Sequence, residues 1–113
     1  MPHAIDPAKS GPYPQNYRQL AKDYVRTTFF DPYSMRDVQI STPHNGRMFA
    51  QQGWVVCIAA NAKNRMGGYT GLKKTALLMR DGAVIDADEG AAACDSFDFA
   101  PWPEMENIGA GKS

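Results

Sequence analysis

The chain has 113 residues, 43% hydrophobic and 21% charged, and its twelve basic and twelve acidic residues cancel. That is room for one globular domain and is not the composition of a disordered chain, and the balance argues against a nucleic-acid partner, which calls for a clustered excess of Lys and Arg. It also supplies no polybasic reason to adhere to an anionic membrane. The longest apolar run, Trp54 to Ala60, is of strand length and far short of the roughly 18 residues of a membrane-spanning helix.

Four of the eight prolines (Pro2, Pro7, Pro12 and Pro14) fall in residues 1–15. Proline fixes φ and lacks a donor, so this stretch predicts an extended, flexible leader rather than a helix or a strand. Its opening, Met1 to Pro7, has neither the basic start nor the apolar centre of a signal peptide.

Tyr17, Leu20, Ala21, Tyr24, Val25 and Thr28 recur at helical spacing and make one apolar stripe. Asn16 serves as N-cap, and Asp31-Pro32 stops the helix because a residue before proline leaves the α region. The helix is expected over about 16–30, with one face that needs a sheet to lie on.

The rest reads as strands. Asp37 to Thr42 alternates apolar with polar and breaks at Pro43. Residues 43–53 predict a loop or a wide hairpin connection. Trp54 to Ala60 is near-continuously apolar, as a central strand covered on both faces would be. Leu72 to Met79 makes a second long strand, and Asp81-Gly82 signals a type I′ hairpin returning along Val84 to Ala87. Ala91 to Cys94 suggests a helical turn with Phe97 and Phe99 packing inward. The tail from Pro101 is Pro/Gly-rich, with Trp102 pinning it to the domain. These elements predict an α+β domain over 16–100, one N-terminal helix packed on a 3–4-stranded antiparallel sheet as a two-layer sandwich, followed by a 101–113 tail.

The glycine-punctuated segment 61–71 invites comparison with a phosphate-binding loop, but the register fails. Leu72 stands where the second glycine of the motif is required, and a strand follows instead of a helix. What remains is a strand-connecting loop that displays Asn61, Lys63, Asn64, Arg65 and Tyr69. Amides, cations and an aromatic ring on one turn form a competent polar binding surface. Elsewhere no nucleophile has a base at meaningful spacing and no G-x-S-x-G elbow occurs. Asp86-Ala87-Asp88-Glu89-Gly90 lacks the periodicity of a calcium loop, and the residues call for no metal or cofactor.

Cys57 and Cys94 fit no zinc spacing. Three readings stand: buried free thiols, a disulfide formed in an oxidising compartment, or a reactive nucleophile. A bridge would close a loop of about 37 residues and contribute ~3–4 kcal/mol.

Three pieces in order, namely a helix ending in Asp31-Pro32-Tyr33-Ser34, the strand Trp54-Val55-Val56-Cys57, and Asn61-Ala62-Lys63-Asn64 leading into Gly67-Gly68-Tyr69-Thr70-Gly71, resemble a group of small proteobacterial periplasmic and lipoprotein-type domains. In such proteins a signal sequence precedes the domain and the later cysteine pairs with the strand cysteine, and Cys57 and Cys94 fit that arrangement. The resemblance implies the periplasm or the outer membrane, with the cytoplasm as the alternative, and it carries no activity. The expected function is a non-enzymatic binding or structural module of the bacterial envelope. Its partner would be a protein or the cell wall, with membrane contact only through an upstream lipid anchor and self-association through an exposed strand edge. The rival is a small hydrolase or protease-inhibitor-like protein using the acidic turn or a free Cys57.

Overall fold

The computed structural model describes residues 10–28, 35–63, 66, 68–90 and 92–106. In chain order these form α1 (Tyr17–Thr28), β1 (Arg36–Ser41), β2 (His44–Met48), β3 (Gln51–Lys63), β4 (Tyr69–Arg80), β5 (Ala83–Glu89), a 3₁₀ helix (Ala92–Ser96), β6 (Phe99–Pro101) and the single-turn α2 (Pro103–Glu106). The α+β class holds, but the sheet has six strands among the described residues rather than three or four. The additional strands are β2 and β6. Both are too short and too poor in β-branched residues to announce themselves.

The sheet runs in the order β5-β4-β3-β1-β6, with β2 also pairing β3, β6 returning to lie beside β1, and every pairing antiparallel. The long strand β3 is its rail. β4 pairs with it from Trp54↔Met79 to Lys63↔Tyr69. Its other side is shared, with β2 taking Gln51 to Val55 and β1 taking Ile58 to Asn61. From Ile40↔Ile58 to His44↔Val55 the partner strand takes four steps against three on β3. β1 and β2 are therefore one bent strand, broken where Pro43 removes a ladder donor. The Asp81-Gly82 turn forms as its sequence predicts, with φ of 53° and 80° and Arg80 facing Ala83, the left-handed pair that a type I′ turn demands.

Alternation along β3 sorts the core into two faces. Val56, Ile58 and Ala60 join Leu77 and Met79 beneath Ala21 and Val25 of α1, with Val38, Ile40, Trp102 and Met105 beside them. Val55 and Cys57 join Ala76 and Leu78 on the opposite face under Met48 and Cys94, with Ile85, Phe97 and Phe99 at the edges. The sheet is thus covered by α1 and α2 on one face and by the 92–99 segment on the other. The inward packing expected of Phe97, Phe99 and Trp102 is observed.

α1 starts where expected: the Leu20 amide donates to the Asn16 carbonyl at 3.0 Å. The Asp31-Pro32 stop lies outside the described residues. Tyr24, half-buried on α1, has its phenol held above its ordinary value near 10 by burial, reinforced by the Glu89 carboxylate and opposed by a hydrogen bond with Thr28. A raised pKa means that the folded state holds this proton longer than the unfolded chain does. The associated stability is complete below pH 10 and is lost as pH rises through the folded value. Thermal melts between about pH 9 and about pH 11 should therefore show a steeper decline for the wild type than for Tyr24→Phe.

The leader expected to be free is held against the domain over its described part. Ser10 is fully buried, donating to Asn45 Oδ1 and accepting from Gln52 Nε2 at 2.7 Å. Trp54 Nε1 donates to the Gly11 carbonyl at 3.1 Å, and the Tyr13 ring meets Trp54 edge-on at 5.2 Å. Composition predicted the lack of regular structure here. It could not predict the anchoring, which rests on side chains 35 to 43 positions away.

Candidate functional site

The segment 61–71 is less loop than its sequence suggests. β3 runs on to Lys63 and β4 begins at Tyr69, so most of the stretch lies in the β3–β4 hairpin itself. Asn61 is a structural residue: its Oδ1 accepts from the Gly71 amide at 3.0 Å. It thereby braces a bulge between Asn61 and Lys63 that Gly71 makes possible with a φ of 89°. Lys63 pairs through its backbone with Tyr69, while Asn64 and Arg65 lie outside the described residues. Tyr69 is half-buried beneath the Arg36 guanidinium, which stands 4.1 Å above the ring centre, a cation–π contact. Arg36 carries no motif and sits at the start of a separate strand. Only the pairing Arg36↔Asn61 brings it here.

Cys57 and Cys94 are bonded to each other, closing a 37-residue loop between the centre of β3 and the 3₁₀ helix. This settles the three cysteine readings: neither sulfur is a free thiol, so a nucleophilic Cys57 is ruled out. Geometry explains the pairing. Cys57 projects from the face opposite α1, where Cys94 lies with it in one fully buried cluster. The acidic turn is also occupied structurally. Asp86 accepts from the Ala87 amide at 2.8 Å and from Gln51 Nε2 at 3.3 Å, and Lys74 Nζ meets Asp95 at 2.8 Å. Among the described residues, no three His, Cys, Asp or Glu side chains come together in a way that could hold a metal ion. No helix among them is long and apolar enough to cross a membrane.

A cleft of about 390 Å³ opens on the disulfide face, beside the 92–97 cover. One wall is the whole of β2 and its turn, His44 through Phe49, and the lining continues over Val55 and Ala76 to Phe97 and Asp88. The cleft exists partly because Gly46 brings no side chain into it. Gly46 faces Gly53 in the β2–β3 pairing, so no Cβ rises from that row. Gly53 cannot carry one, since it would sit 2.7 Å from the Met79 carbonyl oxygen. The His44 ring packs edge-on against Phe97 at 4.5 Å and marks where the cover ends. Beyond it the outward edge of β2 has no strand partner among the described residues, because β6 pairs only with Gln39 to Ser41.

At the end of this wall, Phe49 occupies the first position of a two-residue turn with a φ of 57° and is 72% exposed. A bulky side chain in the left-handed region is strained, and an exposed aromatic there gains no burial in return. Phe49→Gly is expected to raise stability by about 0.5–1 kcal/mol, read as a higher urea midpoint, because relief of the left-handed cost exceeds glycine's extra unfolded-state entropy. No part of this site was visible in the sequence, where residues 43–53 read as a connection. The nearest signal was Gly46 and Gly53, whose strand register only the fold supplies.

Compared with protein-family models, curated proteins and solved structures, the chain matches none of them.

Proposed function

We propose that this protein is a non-enzymatic binding module of the bacterial envelope that takes an extended peptide segment of its partner onto the free edge of β2. One observation carries this reading. A strand edge with no strand partner among the described residues is continuous with an apolar-floored cleft, so main-chain groups and side-chain pockets lie within reach of a single ligand strand. Strand addition works in this way: backbone hydrogen bonds supply affinity, and alternate side chains entering pockets supply specificity. Gly46 leaves the approach unobstructed at mid-strand, Met48, Val55 and Phe97 offer apolar contact, and His44, Arg47 and Asp88 give polar rim contacts. The bonded cysteine pair supports an oxidising compartment.

Peptides selected from a random-sequence library for binding to the oxidised protein provide the test. Hydrogen exchange of the complex should show slowed amides in His44–Met48, with little change along β5, the other long strand on an edge of the sheet. Gly46→Val, which fills the approach while keeping a residue suited to a strand, should weaken the same peptides at least tenfold. Protection confined to β5 or to residues 61–71, or undiminished binding by Gly46→Val, would refute the assignment.

A further inference from the structure

The row of side chains that β2 turns toward the cleft has a gap in its middle. At one end of the row the His44 ring packs on Phe97, and at the other Met48 is buried in the cluster of Val55 and Leu78. Strand residues two apart share a face, so Gly46 lies between these two and leaves its place empty. A Cβ there would stand 3.2 Å from Val55 Cγ2, so the vacant direction is toward the cleft floor, of which Val55 is part. Asn45 and Arg47 alternate with this row and face the α1 side. Their partners on β3 do the same: Trp54 packs against the α1-face core, and Gln52 shares Ser10 with Asn45. Asn45 is thus engaged by Ser10, whereas Arg47 is exposed.

A ligand strand paired with β2 inherits this pattern, because directly opposed residues share a face. The residue opposite Gly46 points to the cleft side and can lean over the glycine onto Val55. A large apolar or aromatic side chain suits that position, as aromatic residues cover a glycine on the neighbouring strand. Asp88, which also lines the cleft, disfavours a carboxylate there. The next ligand residue, opposite Arg47, points to the other face, where an acid gains an opposite-charge cross-strand pair. Antiparallel pairing is the more stable per residue, and every pairing described in this sheet is antiparallel. In that direction the acid comes first. We infer that the strand taken up by β2 carries an acidic residue followed directly by a large apolar or aromatic one, read by Arg47 and Gly46 respectively. This rests on the strand-addition reading and names the chemistry of its ligand.

Library peptides that slow exchange in His44–Met48 of the oxidised protein supply the probes. Their aligned sequences are expected to share Asp or Glu followed by Phe, Tyr, Trp or Leu. Within one such peptide, alanine in place of the apolar residue should weaken binding about tenfold, and lysine in place of the acid about threefold. Exchanging the order of the two residues should weaken it as much as the alanine replacement does. Arg47→Glu, with a thermal melt matching the wild type, is expected to invert the charge preference, so that the lysine peptide binds more tightly than its acidic parent. Peptides that protect His44–Met48 without this order, or a charge preference that Arg47→Glu leaves as it was, would overturn the inference while strand addition stands. Absence of any peptide that protects β2 would overturn both.

Discussion

Replacing Cys57 and Cys94 together with alanine is expected to lower stability by about 3–4 kcal/mol, from the chain entropy that a 37-residue loop restores to the unfolded state. For a domain of this size that is a large share of the total. Urea unfolding should show a lower midpoint with a steeper slope, since the unfolded chain without the bridge expands further. The effect should also be asymmetric between the faces. On the α1 face the cover includes a helix with its own hydrogen bonds. On the other it is the 92–97 segment, fastened by the bridge, the Lys74–Asp95 pair and the packing of Phe97. Limited proteolysis of the variant should cut first within 90–99, and binding of a hydrophobic dye should rise as Val55, Ala76 and Leu78 lose their lid. A loss below about 1 kcal/mol would mean that packing alone holds the segment.

Trp102→Ala is expected to cost about 3–5 kcal/mol. Trp102 is the largest fully buried side chain described, 1% exposed beside α2, and its amide donates to the Val38 carbonyl at 2.8 Å. Its ring fills the space that α1 leaves uncovered on this face, next to Ile40 and Met105. The indole Nε1 is buried with no hydrogen-bond partner among the described residues, so the side chain stabilises by volume in spite of its polar atom. Trp102→Phe should therefore cost much less, about 1 kcal/mol or under, because the smaller ring removes an unsatisfied donor along with some contact. Chemical denaturation of both variants separates the two contributions. Equal losses would show that the indole N–H is satisfied in solution.

What could be read from the sequence followed from how local its cause is. α1 shows itself because an apolar stripe at 3.6-residue spacing is complete within twelve residues. The Asp81-Gly82 turn shows itself because its backbone requirement falls on those two residues alone. β3 and β4 extend beyond the apolar runs that signal them, since Asn61, Lys63 and Tyr69 are recruited into strands by pairing and not by propensity. β2 carries no such local signal, because Gly46 is a weak strand former and its turn, Phe49-Ala50, has none of the usual turn residues. The buried Ser10 and the Arg36–Tyr69 contact depend on partners more than thirty residues away. For the same reason the cleft was out of reach. It is made by Gly46 lying beside β3 in a pairing that only the fold sets and by a cover that ends at Phe97, which are relations between segments.

The placement of Cys57 on β3 has a consequence for how the chain is checked. Strand side chains alternate between faces, so a one-residue slip of β3 would turn every residue over at once. Val56 would then face the 3₁₀ helix, and Cys57 would sit beneath α1, across the sheet from Cys94. No bridge could close in that arrangement. Oxidation thus acts as a proofreading step, sealing only those chains whose central strand has found the correct register. A misregistered chain keeps two thiols, and that chemical mark distinguishes it from its correctly folded siblings.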